Sequence, residues 1–387
     1  MRTRPALAAA TVSALIVLGG CGDPEPSPDA DETPSASSTP SPTESQSPSE
    51  TTSATPEPEP SEPPAGDTTS LSTKGLGQGP PPGIAVLAAA DPANPPGTWS
   101  LVRSSGESVE LDVERPFSFV PMGNGLVLME DDGDGGAAVL NIDGTGGEVT
   151  REEALGYRLA VTPDGSIVAW LAPDHAVHGI EGGGQRTFDL PVVDGASEMG
   201  AISGQGTCFE AESEIGGCTA FVDVDEPRQA WLTSSHGIVD TAGPLLSVVD
   251  TYEGSLVGLL SVTDEGSCGG LFKKLTKPVW QTCDHTLTSF SPDGSLVLGT
   301  DAYLDGFGQR TVAFLDAAGG LEHEFRSKGH GPTILQTAWE DADHVLAVVF
   351  ERGRWSVLRL GADGSAEVAL GPVEGGDLDR PYVLAEN

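Results

Sequence analysis

Five cysteines are the residues best placed to do chemistry: Cys21, Cys208, Cys218, Cys268 and Cys283. Cys21 stands alone near the N-terminus. The other four allow three pairings. Their local spacing favours Cys208 with Cys218 and Cys268 with Cys283, because each pair can bridge neighbouring strands across one turn. Such bridges need an oxidising compartment. Zinc is the alternative use of four thiols, but there is no CxxC and the spacing fits no compact zinc site.

Carboxylates come next. Glu130-Asp131-Asp132-Gly133-Asp134-Gly135-Gly136 places acids on a glycine-rich turn, where Asp131, Asp132 and Asp134 could offer hard oxygen ligands to Ca²⁺. The spacing lacks the distant bidentate glutamate of an EF-hand loop, so a solvated turn is the default and no metal is assigned. Asp223-Val224-Asp225-Glu226 is a weaker candidate of the same kind. Seven histidines are scattered; His323 and His330 flank a charged turn, Glu324 to Gly329. No GxSxG elbow, HExxH, P-loop or GxGxxG following a strand occurs, so no catalytic residue and no cofactor is assigned.

The chain has 387 residues, with 19 Lys plus Arg against 58 Asp plus Glu, a formal charge of −39. A surface of that sign repels nucleic acid and anionic headgroups, which excludes nucleic acid as a partner. At the N-terminus, Arg2 and Arg4 precede an apolar run from Ala6 to Leu18, too short for a comfortable membrane span. The run ends in Leu18-Gly19-Gly20-Cys21. This resembles the lipobox of bacterial lipoproteins, with Gly19 where the family more often has Ala or Ser. The resemblance implies a signal peptide over 1–20, cleavage before Cys21, and acylation of Cys21 (palmitate among the chains) as a membrane anchor on the extracytoplasmic face. Two acyl chains suffice for stable anchoring.

From Gly22 to about Lys74, Pro, Ser, Thr and Glu dominate and aromatic residues are absent. Such a segment cannot bury enough apolar surface to offset its ordering entropy. Residues 21–79 are therefore expected to be a disordered tether, reaching up to ~150 Å at ~3 Å per residue. Tether and composition together resemble the surface lipoproteins of high-GC Gram-positive bacteria.

Residues 80–387 must supply the folded part. Val161-Thr162-Pro163-Asp164-Gly165-Ser166-Ile167 returns as Phe290-Ser291-Pro292-Asp293-Gly294-Ser295-Leu296, each an apolar strand, a tight turn and a second apolar strand. Gly165 and Gly294 lie 129 residues apart, three units of 43, which is a propeller-blade period. Corresponding turns at Gly125, Gly206, Gly254 and Asp343 complete six units. A seventh is split: strands at Ile84–Ala88, Thr98–Arg103 and Ser108–Val113 lack an inner strand, which Pro381–Ala385 would supply. Joining them closes the ring and removes the open edge. The prediction is an all-β fold, a β-propeller of seven four-stranded blades, with six or eight the alternatives. Cys208 is expected on the second strand of its blade and Cys218 on the third, with Cys268 and Cys283 flanking a hairpin from Leu271 to Trp280. Six tryptophans at blade-like intervals are expected to pack between blades.

These turns resemble the WD40-like and TolB-type Pro-Asp-Gly β-propellers, without the Trp-Asp and Gly-His signatures of standard WD40 repeats. The fold hosts many functions, so it selects none. A monomeric binding or scaffold module for an envelope protein, peptide or glycan ranks first. An extracytoplasmic lyase or glycosidase is the alternative, as is an accessory or sensor component of an envelope transport or signalling system, which rests on the TolB-type resemblance.

Overall fold

A computed structural model describes residues 66–91, 98–133, 136–204, 206–208, 217–303 and 306–386, all within one unit spanning 61–387. Every sheet is a blade. The pattern behind them is short runs of β-branched and aliphatic residues cut by glycine, proline and aspartate.

Blade 1 joins Val86–Ala89, Trp99–Val102 and Ser108–Leu111 to Tyr382–Leu384 from the far end of the chain. Blade 2 runs Pro116–Met122, Gly125–Asp131, Ala137–Ile142 and Glu148–Ala154. Blade 3 is Ala160–Val161, Ile167–Leu171, Val177–Glu181 and Arg186–Leu190. Blade 4 is Ala196–Gly204, Cys218–Asp225, Arg228–Ser234 and Val239–Thr241. Blade 5 is Ser247–Tyr252, Ser255–Thr263, Gly266–Phe272 and Pro278–Thr282. Blade 6 is His285–Phe290, Leu296–Asp301, Thr311–Asp316 and Leu321–Ser327; blade 7 is Thr333–Trp339, His344–Glu351, Arg354–Gly361 and Ala366–Glu374. The split unit closes as the sequence pattern required, with Val86 opposite Leu384 and Ala88 opposite Tyr382 in antiparallel register.

What holds seven sheets in a ring is apolar surface shared between neighbours. The buried apolar residues sort into seven clusters, and each bridges one pair of adjacent blades. Between blades 7 and 1, for example, Leu346, Val348, Trp355 and Val357 meet Val86, Tyr382 and Leu384. All six tryptophans lie in or against these seams. Gln336 of blade 7 locks the closing strand: its Oε1 accepts the Leu384 N–H at 2.9 Å and its Nε2 donates to the Leu384 carbonyl at 3.1 Å.

Two expectations are corrected. Residues 66–79, read as the end of the tether, belong to the folded unit. Asp67–Leu71 adds a fifth, parallel strand to the outer edge of blade 6, pairing Asp67 with His323 and Leu71 with Ser327. Leu71 is 3% exposed in the seam of blades 6 and 7. Thr73 then gives its N–H to buried Glu351 at 2.9 Å, and its hydroxyl to the same oxygen. Gly79 N–H reaches the Val368 carbonyl, and Val368 N–H the Gly77 carbonyl, both at 2.9 Å. Arg359, ion-paired with Glu340 and Glu367, donates to the carbonyls of Pro80 and Pro81 at 3.3 and 3.1 Å. The segment is a strap along blades 6 and 7. It satisfies an edge that would otherwise stay open.

The second correction concerns Cys208 and Cys218. Cys208 lies in the connection after the first strand of blade 4, and Cys218 opens the second strand. The cause is a long connection between Gly204 and Cys218, where blades 2, 3, 5, 6 and 7 have a tight turn. That insertion also explains the wide interval from Gly206 to Gly254. The disulfide pairing itself is as read: Cys208 to Cys218 with Cα atoms 4.9 Å apart, and Cys268 to Cys283 at 4.1 Å. Buried Glu181 of blade 3 holds the first bridge from across the seam, accepting the Cys208 N–H at 2.5 Å and the Thr207 hydroxyl at 2.7 Å.

Candidate functional site

The innermost strands surround a channel, and the repeated turns form one end of it. Each Pro-Asp-Gly turn is built by its aspartate. Asp164 Oδ1 accepts from the Thr162 and Ser166 hydroxyls at 2.7 and 2.6 Å and from the Ser166 N–H at 3.1 Å. Asp293 repeats this with Ser291 and Ser295, at 2.8 Å to each hydroxyl and 3.0 Å to the Ser295 N–H. Burial pushes the Asp164 carboxyl up, but the Ser166 and Thr162 hydrogen bonds outweigh it and hold it below the usual range. The Ser295 N–H, with both serine hydroxyls, does the same for Asp293. Both carboxylates are thus committed to turn geometry.

The glycine that follows has a second task. At Gly294 (φ 70°), a Cβ would lie 2.3 Å from the Tyr252 ring, so its absence lets Tyr252 lie against the turn. A groove of about 670 Å³ opens there, lined by Pro163, Asp164, Tyr252, Glu253 and Pro292 together with backbone of blade 4. Turns and strand ends of four successive blades, 3 to 6, converge on it.

Beneath the groove is a neck of about 30 Å³ between Pro163, Tyr252, Phe290, Pro292 and Trp339. Tyr252 and Phe290 pack at 6.0 Å between ring centroids, and Trp339 Nε1 donates to Ser289 Oγ at 3.0 Å. Below the neck, and sharing Asp250 and Trp339 with it, lies a chamber of about 200 Å³. Its charged lining is Arg158, Asp250 and Glu386, with Gln336, Thr288 and Ser289 beside them. Arg158 donates to the Val249 carbonyl at 2.7 Å. Asp250 accepts the Thr251 and Phe290 N–H groups, both at 2.7 Å. Glu386 accepts from Ser118 Oγ at 2.8 Å.

Burial dominates the electrostatics. It pushes the Asp250 carboxyl up to about 6 against two backbone hydrogen bonds and the attraction of Arg158. Asp223, within electrostatic reach of Arg158, is also pushed up to about 6 by burial, against a Ser247 hydrogen bond. Burial raises Glu198 and Glu386 too, and it lowers Arg380, which donates to Gln336 Oε1 at 3.1 Å.

Of the residues that line the chamber, Arg158, Asp250 and Glu386 carry no motif in the sequence; Asp223, part of the weaker acidic candidate, lies on the second strand of blade 4 and not in the chamber wall. The available signal was a charge inside an otherwise apolar inner strand, as at Arg158 before Leu159-Ala160-Val161 and Asp250 after Val248-Val249. The residues that were singled out lie elsewhere. Asp131 and Asp132 serve their own turn: Asp131 accepts the Gly133 N–H at 2.7 Å and pairs with Arg115 at 3.3 Å, and Asp132 accepts the Gly136 N–H at 3.0 Å. Asp134 and Cys21 lie outside the described residues. Among the described residues, no three His, Cys, Asp or Glu side chains gather as a metal site. His323 meets the strap, 3.0 Å from Thr69 Oγ1, and His330 is exposed.

No family model matches the chain, and no curated protein matches it. Solved structures do. BamB from Moraxella catarrhalis is 15% identical, covering 77% of this chain and 85% of its own, at a TM-score of 0.42. TolB from Acinetobacter baumannii is 13% identical, covering 78% and 67%, at 0.43. The Cps50 (Swd1) β-propeller domain from Myceliophteria thermophila is 10% identical, covering 69% and 89%, at 0.46.

Proposed function

We propose that this chain is a lipid-anchored, extracytoplasmic binding module whose propeller engages an envelope protein, peptide or glycan at the turn end of its channel. The observation that carries the reading is the groove of about 670 Å³ where Pro163, Tyr252, Glu253 and Pro292 meet. Concave sites formed where several elements converge are the usual places for ligands. Two disulfides fit an oxidising compartment. The Leu18-Gly19-Gly20-Cys21 sequence supplies the anchor, and the residues from Cys21 to about 65 the tether. A formal charge of −39 favours a partner surface that is neutral or cationic.

The test has two arms. Cys21→Ser should release the protein from the membrane fraction into the medium, and unchanged retention would defeat the anchor. A photo-crosslinking residue at Glu253 should trap a discrete partner that the same residue at Val149, 59% exposed on the outermost strand of blade 2, does not trap. Equal trapping at both positions, or none from Glu253, would defeat the groove.

A further inference from the structure

The chamber is lined by charges of both signs that do not pair with each other. Among the described residues, no carboxylate oxygen lies within 4.0 Å of an Arg158 guanidinium nitrogen, and no cationic nitrogen lies that close to Asp250 or Glu386. Opposite charges in a half-buried cavity attract strongly and close to contact unless other partners hold them. Here each is held by a neutral partner: Arg158 by the Val249 carbonyl, Asp250 by the Phe290 and Thr251 N–H groups, Glu386 by Ser118 Oγ. Those partners belong to strands of blades 2, 5 and 6, so the separation is built into the ring.

We propose that the chamber binds a zwitterion of amino-acid size, its carboxylate on Arg158 and its ammonium on Asp250, with Glu386 elsewhere on the wall. The volume of about 200 Å³ falls below the roughly 300 to 1,000 Å³ of drug-sized sites, which suits a free amino acid or a small dipeptide. Arg158 offers a planar fork that matches a carboxylate. Ser289 Oγ, which accepts from Trp339, keeps its own O–H to donate and Thr288 Oγ1 can still accept, while Gln336 is already held by Leu384 and Arg380. The neck separates chamber from groove, so this ligand is distinct from the groove's partner and the proposal does not depend on one.

Proton linkage gives an independent readout. Asp250 and Glu386 face Arg158, with Arg380, Glu198 and Asp223 in the surrounding shell. An ammonium beside Asp250 favours its ionised form, so binding releases protons near pH 6 and affinity rises from pH 5 to pH 7.

The experiment uses the full chain. A panel of the common free L-amino acids and of dipeptides built from glycine and alanine is screened by thermal shift at about 10 mM, with titration calorimetry on any hit. At least one member should raise the melting temperature. Arg158→Met should weaken that hit by about tenfold or more while leaving binding of its carboxamide analogue unchanged, and Asp250→Asn should weaken both. Arg158→Lys keeps the charge without the fork and serves if the methionine variant does not fold; it should bind more weakly than the parent. The proposal is overturned if no panel member binds the parent protein, if the carboxamide binds the parent as tightly as the zwitterion, or if a folded Arg158 variant binds like the parent.

Discussion

Removing the carboxylates of Asp223 and Asp250 should flatten the dependence of stability on pH. Each carboxyl is pushed from an ordinary 3.8 up to about 6 by burial. A raised folded value means that the native state holds the proton more tightly than the unfolded chain does. Each group therefore contributes stability at acid pH that disappears as pH rises from the unfolded toward and past the folded value. A shift of that size is worth roughly 3 kcal/mol if fully expressed. Between pH 5 and pH 8 about half of it is traversed, and partial solvent access reduces it further, leaving about 1 kcal/mol per group. Together that is about 2 kcal/mol, or about 3 °C in melting temperature for a domain of this size. Glu198 and Glu386 act with the same sign.

The assay is thermal or urea unfolding of the parent and of the Asp223→Asn, Asp250→Asn double variant at pH 5 and pH 8, in high salt to screen the excess surface charge. The parent should be the more stable at pH 5, and the double variant should lose most of that difference. Asparagine disturbs the hydrogen bonds to Phe290 and Thr251, so the slope with pH is the quantity to read, not absolute stability. A double variant with the full parental slope would refute the argument.

Two further outcomes are expected. Glu351→Ala leaves the Thr73 N–H and hydroxyl without their shared acceptor; it should cost about 2 kcal/mol and expose residues 66–83 to proteolysis, read by limited digestion and mass spectrometry. Non-reducing peptide mapping should recover Cys208 linked to Cys218 and Cys268 linked to Cys283, and Cys208→Ser with Cys218→Ser should lower stability by about 2 to 3 kcal/mol in chemical unfolding.

The ring was legible in the sequence because its punctuation is local. Pro163-Asp164-Gly165 and Pro292-Asp293-Gly294 state a turn within a few residues, and counting from them locates the others. The orphan strands at each end of the folded part identify one another. The strap was not legible, because Asp67–Leu71 and Gln78 have the polar, proline-bounded character of the tether before them. They become ordered through partners more than 250 residues away, such as His323 and Val368. The chamber was hidden for the same reason. Arg158, Asp250, Gln336 and Glu386 come from four different blades and meet only when the ring closes. Cys208 was misplaced because a period fixes where blades begin, while an insertion between Gly204 and Cys218 shifts strands within one of them.

Closure by Tyr382–Leu384 sets an order of events. Val86 meets Leu384, which lies 298 positions further along the chain. Until that last strand arrives, blade 1 has three strands, its inner edge is bare, and the seams to blades 7 and 2 lack Tyr382, Leu384, Val383 and Ala385. A growing chain can assemble blades 2 to 7 as neighbours, yet it remains an open arc. Cooperative protection from hydrogen exchange across the whole ring should therefore appear in one late step, when the two ends of the folded part find each other.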